Sequence, residues 1–182
     1  MDSYIGTYQM DAQLCESIHT WAIENRRLLS HDRARQYAWA PMSAVNSEWT
    51  TQYLEALDGC LTEYKTQYPL CYKQLNGFSP TEPRLQLYEP DCAYSHAHCE
   101  NDGAPHSIRR HLVYMTYLNT VDHGGGTEFT EFDITTEPCQ GTTVIWPAGW
   151  QWYHRGIAAP QARKSIITGW WVFDEHSQMQ PI

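Results

Sequence analysis

A mainly β fold, a sandwich or jelly roll with two helices packed on one outer face, is predicted by three observations. Beyond Pro83 the chain breaks into short runs of alternating or β-branched residues separated by Gly, Pro, Asp and Asn, the texture of many short strands. Ahead of that lie two stretches whose apolar residues recur at helical spacing. The 182 residues suit one core, and 42% hydrophobic against 18% charged residues exclude disorder as the dominant state.

Asp11 is a candidate N-cap, and Leu14, Cys15, Ile18, Trp21 and Ala22 follow along one stripe, which predicts a first helix over roughly Asp11 to Arg27. The segment after it, with its charges and Pro41, reads as a connection. Ser47 caps a second pattern, Trp49, Tyr53, Leu54, Leu57, Leu61 and Tyr64, giving a helix from Ser47 to Gln67 that Pro69 keeps from extending. Asn76-Gly77-Phe78-Ser79-Pro80 is turn chemistry, closing a helical part (residues 1–80) ahead of a β core (residues 81–182) within one domain. The strand runs are Arg84 to Tyr88, His111 to Leu118, Glu128 to Ile134, Thr142 to Trp146 and Ser165 to Phe173.

Twelve basic against 21 acidic residues give a net charge of −9, which excludes a broad phosphate-tracking surface, so no nucleic-acid partner is expected. No apolar stretch approaches the roughly 20 residues of a membrane span. The start, Met1-Asp2-Ser3-Tyr4-Ile5-Gly6, lacks a basic segment followed by an apolar one, and a soluble, cytoplasmic protein is expected. Cys15, Cys60, Cys71, Cys92, Cys99 and Cys139 are then free thiols, and no Cys-x-x-Cys suggests a zinc ribbon or redox motif.

Seven of the nine histidines fall between His96 and His176. In Tyr94-Ser95-His96-Ala97-His98-Cys99-Glu100, His98 and Glu100 stand two apart, and in a strand such residues share a face and can grip one ion. With a second His, this is the open facial site of non-haem iron oxygenases. His154, in Trp152-Tyr153-His154-Arg155-Gly156, is a candidate third ligand, and Lys164 lies where a cation would meet the far end of an iron-bound dicarboxylate.

From Leu85 to Phe173 the chain resembles the 2-oxoglutarate- and Fe(II)-dependent dioxygenases, in their prolyl 4-hydroxylase-like branch. The resemblance rests on fragments in order. These are Leu87-Tyr88-Glu89-Pro90-Asp91-Cys92-Ala93-Tyr94 before His98-Cys99-Glu100, the strand Leu112 to Asn119, the turn Gly124-Gly125-Gly126-Thr127-Glu128-Phe129, and Gly141 through Trp146-Pro147 and His154-Arg155-Gly156 to Trp170. It implies a double-stranded β-helix core, with Fe(II), 2-oxoglutarate and O2 as cofactor and cosubstrates. It further implies that His98, Glu100 and His154 hold the iron. Lys164 would pair with the distal carboxylate of 2-oxoglutarate, helped by the hydroxyls of Tyr117 and Thr168, and Tyr88 and Trp170 would form pocket walls. The implied reaction is hydroxylation of a substrate C–H, favouring a peptidyl proline, with free amino acids or other small molecules as the alternative. Three positions depart from the family pattern: Glu100 replaces the usual Asp, Tyr94 stands one residue further from the first ligand, and Asp91 replaces a turn glycine.

The other chemistry-bearing residues have plainer readings. His96 belongs to the pocket rim or to the surface, and Arg155 contacts substrate or forms an ion pair. Trp146, Trp150 and Trp152 line a substrate groove or pack between sheets. Gly124 to Gly126 form a tight turn rather than a phosphate loop. Cys99 is a small core residue, Arg109 and Arg110 are solvated, and His106, His111, His123 and His176 are surface or strand residues. Two rivals from other classes are a structural zinc site built from Cys92, His96, His98 and Cys99 or Glu100, and a catalytically silent interaction module.

Overall fold

The computed structural model describes residues 2–73 and 77–174; Asn76 and His176, read above as turn and surface residues, lie outside them. The strands are β1 (Gly6–Gln9), β2 (Ser30–Asp32), β3 (Tyr37–Pro41), β4 (Phe78–Pro80), β5 (Arg84–Tyr88), β6 (Arg110–Tyr117), β7 (Thr127–Phe129), β8 (Ile134–Thr135), β9 (Thr142–Pro147), β10 (His154–Gly156) and β11 (Lys164–Phe173). The α-helices are α1 (Ala12–Glu24), α2 (Met42–Val45) and α3 (Ser47–Gln67). All strand pairings are antiparallel. A major sheet runs β1-β9-β6-β11-β5-β3-β2, with β4 also on β11, and a minor sheet runs β10-β7-β8.

Helix α1 starts where Asp11 accepts the Leu14 amide at 2.7 Å and buries the stripe Leu14, Cys15, Ile18 and Ala22. In α3 the cap is Asn46, one residue before Ser47: its backbone is extended and its side chain accepts from the amides of Glu48 and Trp49. Tyr53, Leu57, Leu61 and Tyr64 of α3 join Leu85, Leu112, Ile145, Ile167 and Trp171 in one apolar core on the outer face of the major sheet. A second core, with Val113, Met115, Phe129, Val144, Trp146 and Ile166, fills the space between the sheets. Period-2 alternation on β6, β9 and β11 sends successive residues to these two cores.

Two expectations are corrected. The segment between the helices is not a plain connection: β3 pairs with β5 and β2 with β3, and β1 pairs with β9, so the first 80 residues supply strands to the major sheet. These strands of three to five residues lack a long alternating run, and Pro41 closes β3 at its last residue. The run from Glu128 to Ile134 is a hairpin rather than one strand, because the chain reverses between β7 and β8 with Asp133 in the left-handed region at φ 53°. Aspartate tolerates that conformation better than most side chains.

Candidate metal centre and active site

Between the two sheets lies a cavity of about 270 Å³. Its major-sheet wall carries Arg84, Gln86 and Tyr88 from β5, Lys164, Ile166, Thr168 and Trp170 from β11, and Arg110 and Met115 from β6. The opposite wall has Thr127 of β7, His154 and Gly156 of β10, and the loop bearing Tyr94, His98, Cys99 and Glu100.

His98 and Glu100 do not sit on a regular strand. A single antiparallel bridge joins His98 to His154, closed by amide-to-carbonyl bonds of 3.0 and 2.9 Å, and it brings the two imidazoles together. The Nδ1 of each ring faces the carbonyl two residues earlier, His96 for His98 and Trp152 for His154, both at 2.9 Å. A carbonyl only accepts, so the proton is assigned to Nδ1 and each Nε2 lone pair is free. Both Nε2 atoms face Glu100 Oε1, at 3.4 and 3.6 Å. Ligand atoms of His98, Glu100 and His154 all lie within 4.8 Å of one another, and among the described residues this is the one His/Cys/Asp/Glu cluster of that kind. Two neutral imidazoles and one carboxylate fit a divalent first-row metal that keeps open positions.

The added methylene of Glu100 has a use. Its Oε1 faces the histidines, while Oε2 accepts from Arg110 Nη1 at 3.0 Å and from Trp170 Nε1 at 2.9 Å. Burial pushes the Glu100 carboxyl up, but when the two rings are protonated and no metal is bound, hydrogen bonds and charge from His154 and His98 outweigh it and hold it well below the usual carboxylate range, the place a bound cation takes when the rings are neutral. Arg110, read as solvated, is instead half-buried against Glu100, and its guanidinium covers the Trp170 ring at 3.7 Å. A bulge explains the error: Leu112 pairs with Trp171 but Arg110 with Val172, so His111 is the extra residue and Arg110 turns toward the cavity. Arg109 is not free in solvent either, because its Nε donates to the Phe173 carbonyl at 2.8 Å.

Lys164 is 3% exposed. Its Nζ donates to the Gly125 carbonyl at 2.9 Å and lies 4.8 Å from the centre of the Tyr88 ring, and burial lowers its pKa to about 8. Gly125 holds φ 75°, which a residue with a Cβ resists, and so presents that carbonyl. Among the described residues no carboxylate pairs with this ammonium.

The remaining candidates separate cleanly. Tyr88 and Thr168 line the cavity, with their hydroxyls on Gln86 Oε1 (2.8 Å) and the Tyr114 carbonyl (3.0 Å). Tyr117 is buried but does not line it: its hydroxyl meets Thr136 at 2.7 Å and donates to Thr127 at 3.1 Å, so it supports Thr127 from behind. His96 is exposed, and Arg155 forms a surface ion pair with Glu128. Trp152 donates to the Ser3 carbonyl at 2.7 Å and stacks on Phe132, which is packing rather than a groove wall. Cys92 lines a different groove, beside Arg27 and Tyr37, away from the triad it was weighed against as a zinc ligand. Arg35 and Arg84 line the cavity and were not singled out; Trp146, weighed as a groove wall or as packing, lines it too, as does Tyr94. Tyr94 stacks on His98 at 4.2 Å, and Arg84 shares the alternating face of Gln86 and Tyr88, the one signal that marks it in sequence.

Residues 83–172 match the family model described as the 2OG-Fe(II) oxygenase superfamily, and the chain belongs to that superfamily. Its fold is similar to that of the viral collagen prolyl hydroxylase vCPH from Paramecium Bursaria Chlorella virus-1 in its 2OG complex, with a TM-score of 0.72, 16% identity, and 94% of this chain and 97% of that one covered. A Pseudomonas putida prolyl-4-hydroxylase gives 0.71 at 19% identity, covering 94% of each chain. A Trichoplax adhaerens prolyl hydroxylase, in complex with a hypoxia inducible factor oxygen degradation domain peptide fragment, gives 0.69 at 14%, covering 99% of this chain and 88% of that one. At these identities the likeness is one of fold. No curated protein sequence matches the chain. No helix among the described residues is long and apolar enough to cross a membrane.

Proposed function

We propose that the protein is an Fe(II)- and 2-oxoglutarate-dependent hydroxylase of a substrate C–H, with a peptidyl proline as the favoured target. One observation carries the reading: the His98–Glu100–His154 cluster and the buried, carboxylate-free Lys164 open into the same cavity. A metal site alone would leave Lys164 without a reason to be buried, because an unpaired ammonium in a low-dielectric wall is costly. The prolyl assignment draws on the fold shared with prolyl hydroxylases, which is an argument by analogy.

When bound, Fe(II) supplies the chemistry that splits O2 between 2-oxoglutarate, giving succinate and CO2, and the substrate C–H, giving an alcohol. The chain's own residues bind, orient and exclude water. His98 and His154 present Nε2 with Nδ1 tied to carbonyls, and Glu100 presents Oε1 with Oε2 held by Arg110 and Trp170, so the ligand set is oriented before the metal arrives. Lys164 takes the far carboxylate, and Tyr88, Ile166 and Thr168 beside it fix the depth at which the dicarboxylate sits. Met115 and Trp146 add apolar wall to the cavity.

The test is to incubate the iron-loaded protein with 2-oxoglutarate, oxygen and a panel of proline-containing peptides, following succinate and a mass gain of about 16 daltons, the one oxygen the reaction inserts. Both are expected. Succinate with no modified peptide would sink the prolyl assignment, and no succinate would sink the oxygenase.

A further inference from the structure

The cosubstrate accounts for one cation of the cavity and leaves the others. In a chain of net charge −9, the cavity is lined by Arg35, Arg84, Arg110 and Lys164 against only Glu100 and Asp102. A divalent metal and a dianionic 2-oxoglutarate cancel each other, so the cationic surplus remains when both are bound. Arg110 is taken by Glu100, and Arg35 pairs with Asp32 at 2.8 Å.

Arg84 differs. It is exposed, and among the described residues no carboxylate lies within ion-pairing distance of it. Its guanidinium sits by two indoles, 5.5 Å from the Trp39 ring and 5.4 Å from the Trp170 ring. Cation–π contact with two rings limits the freedom of the side chain and leaves its N–H donors for a carboxylate, with less freedom to lose on binding. Trp170 is also the residue whose Nε1 holds Glu100, so a single indole separates Arg84 from the carboxylate of the metal cluster. An anion on Arg84 would therefore sit in the cavity that the metal-capable cluster also lines.

We infer that Arg84, held by Trp39 and Trp170, is the docking point for a carboxylate carried by the substrate. The inference rests on the oxygenase reading and adds the substrate class: a proline flanked by an acidic side chain, or a small acid with its own carboxylate. The same carboxylate chemistry serves both sources.

The test measures binding to the Fe(II)- and 2-oxoglutarate-loaded protein without oxygen, by anisotropy of a labelled peptide and by competition. One arm compares a proline peptide flanked by glutamates with its glutamine counterpart, and a second compares free glutamate with free glutamine as competitors. The expected result is a preference of about tenfold for the acid in at least one arm, the size a bidentate charged contact supports. That preference should fall to about twofold or less in Arg84→Gln, return in part in Arg84→Lys, and weaken as salt is raised. The arm that shows it names the source. Equal binding of acid and amide in both arms, or a preference that survives Arg84→Gln, overturns the inference; so does loss of 2-oxoglutarate binding in that variant, which would place Arg84 on the cosubstrate. Absence of succinate in the parent under oxygen, with Arg84-dependent anion binding intact, would sink the oxygenase reading and leave the anion subsite supported.

Discussion

His98 and His154 exchange both backbone hydrogen bonds, at 3.0 and 2.9 Å, and their rings stand 4.4 Å apart. One two-residue bridge thus joins the two candidate ligands, 56 positions apart in the chain, and sets their spacing without a full strand between them. A metal bound there ties the loop to β10.

The first prediction follows from that tie. A metal at a hundredfold excess over its dissociation constant adds about 2.7 kcal/mol of stability, or roughly 5–10 °C in Tm for a chain of this size. Fe(II), or Co(II) as an air-stable probe, should raise Tm by that amount in the parent. His98→Ala and His154→Ala should bind neither metal and show no rise, as read by calorimetry and metal analysis.

The second prediction concerns Glu100, whose two oxygens face different partners. Glu100→Asp shortens the side chain so that it cannot meet the histidine side and the Arg110–Trp170 side together. Trp170→Phe removes one of the two donors that aim it. Each should weaken metal binding by about 10- to 100-fold, the usual cost of losing an orienting partner, measured by competition with a chelator. Undiminished affinity in both would mean that Oε2 needs no anchor.

The third prediction is one of pH. Burial lowers Lys164 from 10.5 to about 8. Between those values the unfolded chain keeps a proton that the folded, cosubstrate-free chain has released. Stability from this group therefore rises with pH across about 8 to 10.5, and its full penalty is present below 8. The gap corresponds to about 3 kcal/mol, so Lys164→Met should raise the Tm of the cosubstrate-free protein at pH 7 while abolishing any further rise with 2-oxoglutarate. In the parent, affinity for 2-oxoglutarate should fall as pH climbs above 8, because the ammonium must carry its charge to bind.

The fourth prediction separates the triad from a structural zinc site. Cys92 lines another groove, and Cys99 lines the cavity outside the metal-capable cluster. Replacing both by Ser should leave metal content unchanged by elemental analysis; loss of bound metal would restore the cysteines as ligands.

The sequence made some of this legible and hid the rest for identifiable reasons. The stripe of α1 and the turn at Gly125 follow local periodicity or backbone chemistry, which a single chain displays; His98 and Glu100 do come together, but through an isolated bridge to His154 rather than the strand alternation that suggested them. Arg110 was misread because a bulge at His111 inverts the alternation of β6, and no local residue type announces that bulge. Strands β1, β2 and β3 were missed because each has five or fewer residues and gains its hydrogen bonds only from distant partners. Tyr117 faces inward as its alternation implies, but the neighbours that claim its hydroxyl, Thr127 and Thr136, come from another sheet and its flanking loop.

The most direct measurement of the central claim is an anaerobic titration of the Fe(II) protein with 2-oxoglutarate, watching the metal-to-ligand absorption band. The band should saturate stoichiometrically in the parent and be absent in His154→Ala. In Lys164→Ala it should need a concentration about 30-fold to several thousandfold higher, the cost of about 2–5 kcal/mol for stranding one member of a desolvated charge pair. No band in the parent, or the same half-saturation in Lys164→Ala, would contradict the assignment of this cavity to iron and 2-oxoglutarate.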